Sequence, residues 1–367
     1  MTTAQLSRRG LLTGTAVVGA GMTSTTAGMV STSTTGSATA GRRTREYWIA
    51  AVPIWTNTVP SGVDEMMGTL HHAANTTFVA LGYRAYTRGW GAPLPGSDRL
   101  GPNTGLPGPV LRGEVGDTIV VHFRNGDRHY RQPHSIHPHG VRYAPDSDGA
   151  WTAAEPDKPG TAVAPGATYI YTYHVTESSV GTWPYHDHSK PFRIPGRRRA
   201  GSGDKGTDTS TGMGMEMGGN APPTMEIGAE LGLMGMFVLT EPGARRPDRE
   251  FYLVLHDLYS GDVPSLVRDY DCFNGRAFLG NTPTFRARVG EHVRWHVVAL
   301  GTEFHVFHVH GHRWTNDAGR HTDSVVVGPA TTVVADYVED SPGDWLYHCH
   351  VVDHMEGGMV GRYHVDA

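Results

Sequence analysis

The feature that most constrains the fold of this chain is an internal repeat built around histidine. The motif HxxHxHG occurs at residues 134–140 and again at 305–311. Each copy follows a stretch in which apolar and polar residues alternate around a Val-Gly turn, residues 110–125 and 284–299. Such alternation is typical of half-buried strands, so the repeat predicts two strand-rich domains of common ancestry.

A second pair of motifs extends the repeat toward the C-terminal end of each copy. Residues 181–188 and 343–350 share the pattern GxWxYHxH. The copies differ at the position between the paired histidines, where the first has Asp187 and the second has Cys349. Only the second copy therefore offers a sulfur ligand at this position.

The composition favours an all-β fold. The chain has 367 residues, enough for two or three domains, and its 48 Gly and 24 Pro favour short strands joined by many turns. We expect one domain at residues 41–243 and a second at 244–367. The formal net charge is −5, from 31 basic and 36 acidic side chains. This balance provides no positive field for a phosphate backbone and excludes nucleic acid as the partner.

Residues 1–40 have the order of a twin-arginine export signal. Two adjacent arginines, Arg8 and Arg9, precede a run of small and apolar residues, and residues 38–40 form an Ala-x-Ala cleavage site. We expect a secreted protein whose mature chain begins near Gly41 and has no membrane span after cleavage.

The first copy of the repeat carries an insertion. The step from the paired histidines to the closing Gly-Met strand is 46 positions in the first copy, from His188 to Met234, and 9 in the second. The extra residues, about 193–229, contain a Gly, Ser, Thr and Asp tract that predicts a mobile loop. The loop ends in three methionines whose thioethers suit Cu(I), although a passive linker is the alternative. They are Met213, Met215 and Met217.

The histidines are placed to bind metal. The chain has 22 His and 13 Met but 2 Cys, which favours metal ligands over a disulfide scaffold. Alternation along a strand sends His137 and His139 to the same face. In the same way His348 and His350 point to one side and the sulfur of Cys349 to the other. One tripeptide is therefore predicted to serve two different metal sites.

The residues around Cys349 form the ligand set of a blue-copper centre. They supply one thiolate, the imidazoles of His305 and His354, and the more distant thioether of Met359. Zinc usually takes four strong ligands in a closed site and has little use for the methionine. Copper is therefore the expected cofactor. The other cysteine, Cys272, is predicted to be a small buried hydrophobic residue and is assigned no role.

On these motifs the chain resembles the multicopper oxidases, and most closely the two-domain bacterial laccases. The resemblance covers nearly the whole mature chain and implies two cupredoxin-like Greek-key domains, each a β-sandwich or barrel. It also implies four coppers: a type 1 copper in the second domain alone, and a cluster of one type 2 and two type 3 coppers. The type 1 ligands would be His305, Cys349, His354 and Met359. The cluster ligands would be His137 and His308 for type 2, His139, His186 and His350 for one type 3 copper, and His188, His310 and His348 for the other.

Two further residues are similar to positions near the cluster of two-domain laccases. Asp148 follows the first histidine motif, and the resemblance implies that it relays protons; a turn aspartate before Gly149 is the alternative. Tyr143 falls where small laccases have a tyrosine near the cluster, which implies a redox role, with a packed tyrosine as the alternative.

The resemblance also implies how the chain assembles. Each domain supplies four histidines to the cluster, so the cluster must lie at an interface between a first and a second domain. In the resembling family this interface joins subunits of a homotrimer, in which three clusters close head to tail.

The implied activity is that of a laccase-like oxidase. It would oxidise phenols or aromatic amines one electron at a time and reduce O₂ to water with four electrons, so its partners would be O₂ and a small reducing substrate. Oxidation of Cu(I) or another metal ion is the near alternative. A copper nitrite reductase would have no use for paired type 3 ligands, and a non-catalytic copper protein would not need eight cluster histidines.

Overall fold

The computed structural model describes residues 42–95, 106–192, 194, 227–263, 265–316 and 318–367. The predicted export signal, residues 1–40, and the three methionines of the predicted insertion lie outside the described residues. Within the stretch predicted as the insertion, Ile194 and Ile227 are described, and both side chains are buried.

The described residues form twenty strands and three short α-helices. The helices are α1 (Ala73–Thr76), α2 (Ile227–Glu230) and α3 (Val352–Gly357). No helix in the described part of the chain has the length and apolar character needed to cross a bilayer. The strands are β1 (Thr44–Asn57), β2 (Thr77–Tyr86), β3 (Leu111–Glu114), β4 (Thr118–Asn125), β5 (His137–Pro138), β6 (Arg142–Tyr143), β7 (Thr168–His174), β8 (Gly181–His186), β9 (Met234–Thr240), β10 (Arg249–Leu258), β11 (Tyr270–Phe273), β12 (Thr284–Arg288), β13 (His292–Ala299), β14 (His305–Val309), β15 (Trp314–Thr315), β16 (His321–Thr322), β17 (Ser324–Val327), β18 (Thr332–Val338), β19 (Gly343–Cys349) and β20 (Val360–Asp366).

Two sheets enclose the core of the first half of the chain. Their strand orders are β2-β1-β4-β7-β6 and β3-β9-β8-β5. Burial alternates along β4, so that Ile119, Val121 and Phe123 point inward. These side chains join Tyr185 and Phe237 of the second sheet in one hydrophobic cluster. The period-two pattern of the sequence therefore sets which face of each strand is buried.

The second half repeats this arrangement. Its sheets have the orders β11-β10-β13-β18 and β12-β20-β19-β14-β17, and Trp295, Phe307, Tyr347 and Tyr363 lie in the core between them. The parallel pair β1–β4 of the first half matches β10–β13, and the parallel pair β3–β9 matches β12–β20. The all-β fold class is confirmed, and the repeat in the sequence corresponds to a repeat in strand pairing.

The two halves are joined through strands that lead to the histidine motifs. Met234 and Met236 of β9 pack with Val254 and Val298 of the second half. The hydroxyl oxygen of Thr182, near the start of β8, lies 2.6 Å from His296 Nδ1. This junction fixes one end of β8, and the other end carries the paired histidines of the first half.

Candidate metal centre

Cys349 lies where two strands of the second half meet. It ends β19 and is paired with Phe307 of β14, the strand that begins at His305. The Nδ1 atoms of His305 and of His354 in α3 are 3.1 Å apart. The sulfur of Cys349 is 3.9 Å from the first of these atoms and 3.7 Å from the second. Three donor atoms therefore converge on one point, and all three residues are buried.

This donor set fits copper. Two imidazole nitrogens and one sulfur in a triangle are the strong ligands of a blue-copper site, and a methionine is the usual weak one. Met359 is buried, and its carbonyl accepts a hydrogen bond of 3.0 Å from the Cys349 amide. Burial lowers the pKa of His305 to about 3, which leaves its imidazole neutral. Burial also raises the pKa of the Cys349 thiol, so a bound cation is needed to hold the thiolate at neutral pH.

A second candidate metal group lies on the other face of the same strands. It contains His308, His310 and His348, and the Nε2 atoms of the last two are 3.0 Å apart. His308 Nδ1 donates to the carbonyl of Asp323 at 2.7 Å, and His348 Nδ1 donates to the carbonyl of Cys349 at 2.8 Å. These bonds turn Nε2 of each ring toward the group, as the outer partners of metal-bound imidazoles do. The ring of His350 lies 5.4 Å from that of His308.

The first half holds a matching group. It contains His137, His139 and His186, and the Nε2 atoms of the last two are 3.2 Å apart. His137 Nδ1 donates to the carbonyl of Asp148 at 2.7 Å, and His186 Nδ1 donates to the carbonyl of Asp187 at 3.0 Å. The ring of His188 lies 5.3 Å from that of His137. The backbone therefore orients the imidazoles in the same way in both halves.

Burial keeps several of these imidazoles neutral. It lowers the pKa of His186 to about 3 and that of His139 to about 4, and neighbouring imidazoles add to both effects. Burial also lowers the pKa of His137, His310 and His348. A neutral imidazole has a free lone pair, which is the form that binds a metal ion.

The two histidine groups are not joined within one chain. All eight predicted cluster ligands are described, yet each candidate metal group takes its ligands from one half. The ring contacts follow the same division: those of His137 with other predicted ligands are to His139, His186 and His188, and those of His308 are to His310, His348 and His350. One chain therefore presents two half-sets of four histidines.

The structure places Asp148 and Tyr143 beside the first half-set. Asp148 Oδ1 is 3.4 Å from His137 Nδ1, and the ring of Tyr143 lies 6.4 Å from that of His137. Burial and the Asp148 carboxylate raise the pKa of Tyr143. No sequence motif singles out Lys158, whose ammonium group forms an ion pair with Asp148. A lysine in an irregular segment has no local pattern that reveals this pairing.

In the first half, the position equivalent to the Cys349 site holds an ion pair. His134 is fully buried, and its Nδ1 lies 2.8 Å from Asp187 Oδ2 while its Nε2 lies 3.3 Å from Asp127 Oδ2. Although burial alone would lower it, the two carboxylates raise the pKa of His134 to about 9. A protonated imidazole has no lone pair for a metal ion. These residues therefore do not provide a second blue-copper ligand set.

A buried aspartate next to His305 was missed in the sequence. Asp257 Oδ1 is 3.7 Å from His305 Nε2, and Asp257 lies opposite Asp271 in the pairing of β10 with β11. Burial and the nearby carboxylates of Asp271 and Glu303 raise the pKa of Asp257 well above its usual range. The available signal was an acidic residue two positions after the aromatic and aliphatic run 251–255 of β10.

Taken together, paired β-sheets in each half, a buried His₂Cys set and two histidine half-sets are the features expected of a copper protein. Two family models, both described as multicopper oxidase, match the chain at residues 92–203 and 256–367. The chain belongs to the multicopper oxidase family, a family of copper-dependent oxidoreductases.

Individual relatives agree with this assignment. Ferroxidase HEPHL1 of Homo sapiens is 30% identical over 364 residues, which cover 89% of this chain and 30% of the relative. A probable nitrite reductase-hydroxylamine oxidoreductase fusion protein of Kuenenia stuttgartiensis is 29% identical over 279 residues, 71% of this chain and 28% of the relative. The chain thus spans less than a third of the length of these relatives.

A solved structure described as a multicopper oxidase has the same fold. It superposes with a TM-score of 0.60 at 21% sequence identity, over 89% of this chain and 90% of that chain. At this identity the likeness concerns the fold alone, and it confirms the cupredoxin-like architecture.

Proposed function

We propose that this chain is an oxidase that takes single electrons from a reducing substrate at the Cys349 site and delivers them to O₂ at the histidine half-sets. The observation that carries the proposal is the tripeptide His348-Cys349-His350. The sulfur of Cys349 belongs to one candidate metal group, and the adjacent His348 belongs to another. One peptide segment thus connects a place for electron entry with a place for O₂ reduction.

The residues of each site have distinct tasks. When bound, copper would supply a one-electron couple at the Cys349 site and the centre for O₂ reduction, with one copper of type 1, one of type 2 and two of type 3. The type 1 copper would be held by His305, Cys349, His354 and Met359. The eight histidines would hold the type 2 and type 3 coppers, and backbone carbonyls orient four of the rings, those of His137, His186, His308 and His348. Asp148 would pass protons toward the half-set that contains His137.

The leading substrate class is phenols or aromatic amines. Phe304, next to His305 in the chain, is 65% exposed, and Val352, in the helix that carries His354, is 55% exposed. Exposed apolar side chains beside the electron-entry ligands favour contact with an aromatic ring. Because an aromatic donor gives up its electron on contact, it needs only this access.

A metal ion is the second candidate donor. Asp257 lies 3.7 Å from His305 Nε2 and faces Asp271 across the strand pair. Paired carboxylates are ligands for Fe(II) or Mn(II), and Asp257 would place such an ion next to an imidazole of the electron-entry site. Relatives described as ferroxidases also motivate this candidate.

A donor panel on copper-loaded protein tests both classes. Oxygen consumption is measured with phenols, aromatic amines, Cu(I), Fe(II) and Mn(II), in the native chain and in two variants. If the aromatic class is correct, Phe304→Ser lowers kcat/KM for phenols much more than Asp257→Asn does. If a metal ion is the donor, Asp257→Asn lowers kcat/KM for that ion much more than Phe304→Ser does. If none of these donors supports oxygen consumption, the proposal as a whole is contradicted.

We further propose a homotrimer in which the first half of one chain meets the second half of the next. The separation of the two half-sets within one chain supports this assembly, because a three-copper cluster needs all eight histidines. Closed cyclic symmetry would complete three clusters and leave no half-set exposed.

Export of the mature chain is part of the proposal. It is supported by the paired arginines and the Ala-x-Ala site of residues 1–40. Replacing Arg8 and Arg9 by Lys should retain the chain in the cytoplasm, and secretion at the native level would contradict this part of the proposal.

A further inference from the structure

We propose that the buried ion pair of His134 with Asp187, supported by Asp127, positions the first histidine half-set before any metal binds. In the second half, the equivalent pair of residues, His305 and Cys349, would be tied together by copper. The inference rests on the proposed function in taking the eight histidines as copper ligands, and it adds that the two half-sets differ in their dependence on metal.

The Asp187 carboxylate connects the two segments that carry the half-set. It lies between His186 and His188 in the chain, and its side chain is buried. Its Oδ2 is 2.8 Å from His134 Nδ1, and its Oδ1 accepts hydrogen bonds from the Ser135 amide at 2.8 Å and the Ser189 amide at 3.2 Å. The carboxylate therefore joins the segment before β5 to the segment after β8.

A second layer fixes this connection. The Ser135 hydroxyl accepts a hydrogen bond of 3.2 Å from the His188 amide, so the backbone of a predicted ligand is attached to the same network. On the far side of His134, the Asp127 carboxylate accepts hydrogen bonds from the amides of His129, Tyr130 and Gln132. The imidazole is thus held between two carboxylates that are themselves fixed by the backbone. Breaking a buried pair of this kind leaves an uncompensated charge, which is strongly unfavourable.

The hydrogen bond equivalent to the one between the Ser135 amide and Asp187 is weaker in the second half. The Val306 amide, which follows His305 as Ser135 follows His134, donates to the sulfur of Cys349 at 3.3 Å. A thiol is a weak acceptor, whereas a carboxylate accepts charge-assisted bonds that are roughly twice as strong as neutral ones. The His350 amide does donate to the Val306 carbonyl at 2.7 Å, so the backbone joins these segments. Without a metal ion, however, the side chains of His305 and Cys349 have no link comparable to the ion pair of His134 with Asp187.

Hydrogen exchange on the metal-free protein tests this difference without reference to turnover. The matched amides are Ser135 and Val306. We expect Ser135 to exchange about 10-fold more slowly than Val306 in the metal-free chain, because a bond to a carboxylate outlasts one to a thiol. Adding copper should slow hydrogen exchange at the Val306 amide and leave exchange at the Ser135 amide nearly unchanged. Equal exchange in the metal-free protein, or equal slowing of both amides by copper, would overturn the proposal.

A variant pair separates positioning from general stability. Asp187→Asn removes the charge that joins the two segments. The control is Asp117→Asn, which breaks a partly buried ion pair with Arg45 in the same half, away from the half-sets. Both variants should lower the melting temperature. Only Asp187→Asn should weaken copper binding by the half-sets, by about 10-fold or more, with the blue absorption of the Cys349 site retained.

The copper content and the type 2 and type 3 spectra are the readouts, and they do not depend on the identity of the donor. An equal loss of copper in the two variants would show that the ion pair acts through stability alone and would refute the positioning role. If the native protein bound no copper at the histidines, the proposed function would fail instead, and the exchange difference in the metal-free chain would still be measurable.

Discussion

At the scale of single residues, one position decides which half of the chain has a thiol among its candidate metal ligands. Asp187 and Cys349 stand in the same backbone setting, between paired histidines at the end of equivalent strands. The carboxylate keeps His134 protonated, while the thiol lies beside the imidazole of His305, which burial keeps neutral, and the imidazole of His354. The same strand geometry thus supports an ion pair in one half and a metal site in the other.

Replacing Cys349 tests the metal site directly. Cys349→Ser should abolish the intense blue absorption and the oxidase activity together, because one sulfur provides both the colour and the electron route. Copper at the histidine half-sets should largely remain, since those ligands use other side chains. Visible absorption, copper content and oxygen consumption check this expectation. A variant that stays blue would show that the type 1 assignment is wrong.

Replacing His134 tests the ion pair through pH. Its pKa is raised from an ordinary value of 6.5 to about 9. The stabilisation is therefore fully present below pH 6.5 and is lost as pH rises through 9; for one group this change amounts to about 3 kcal/mol. His134→Gln should lower the free energy of unfolding near pH 6 and reduce its decline toward pH 9.5. Urea unfolding of both proteins at the two pH values measures this, and parallel pH profiles would contradict it.

At the scale of strands, the candidate metal groups were predictable because their residues fall in short motifs that the chain repeats. Period-two alternation in β14 and β19 was enough to assign opposite directions to Cys349 and its flanking histidines. The partners that tune these sites were not predictable. Asp257 reaches His305 only through the packing of a distant strand, and Lys158 reaches Asp148 from an irregular segment. Such contacts depend on the tertiary fold, which no local pattern specifies.

The glycine that ends each histidine motif is required by its backbone conformation and by the packing of a neighbouring strand. Gly140 has a φ of +72°, and a Cβ there would lie 2.1 Å from the Trp183 ring. Gly311 repeats this with a φ of +71° and Trp345 at 2.7 Å. A side chain at either position would meet both backbone strain and a tryptophan from the strand that carries the paired histidines.

Alanine at Gly140 should therefore disturb the half-set. Gly140→Ala should cost about 2 to 4 kcal/mol of stability, from the left-handed backbone and the overpacked ring, and should weaken copper binding beside it. The control is Gly116→Ala, where φ is +95° but nothing lies within 4 Å of the added carbon. In the control, the free energy of unfolding should fall only by the backbone strain, about 1 kcal/mol, and copper binding should be unchanged. Thermal unfolding and copper content distinguish the two, and equal effects would mean that the tryptophan contact is unimportant.

At the scale of the whole molecule, the candidate metal groups among the described residues each take their ligands from one half of the chain. The outward face of β14 carries His308, and His310 follows the strand directly. The neighbouring β17 adds Val326, which is 65% exposed and lies opposite Val306. An exposed apolar residue beside candidate metal ligands is what an interface with another copy would cover. The matching surface is the half-set of the first half, so a head-to-tail arrangement places unlike faces together.

The interface is tested by a charge on this face. Val326→Glu should convert the trimer to monomers, because a carboxylate would be buried without a partner. The monomers should keep the blue absorption, whose ligands all come from one chain, but lose the type 2 and type 3 copper signals and oxygen reduction. The control is Val338→Glu, an equally exposed valine, 64% exposed, on a sheet without cluster ligands. Its mass in solution and its copper content should match the native protein. Fully loaded, active monomers of the native chain would show instead that its two halves build the cluster without a second copy.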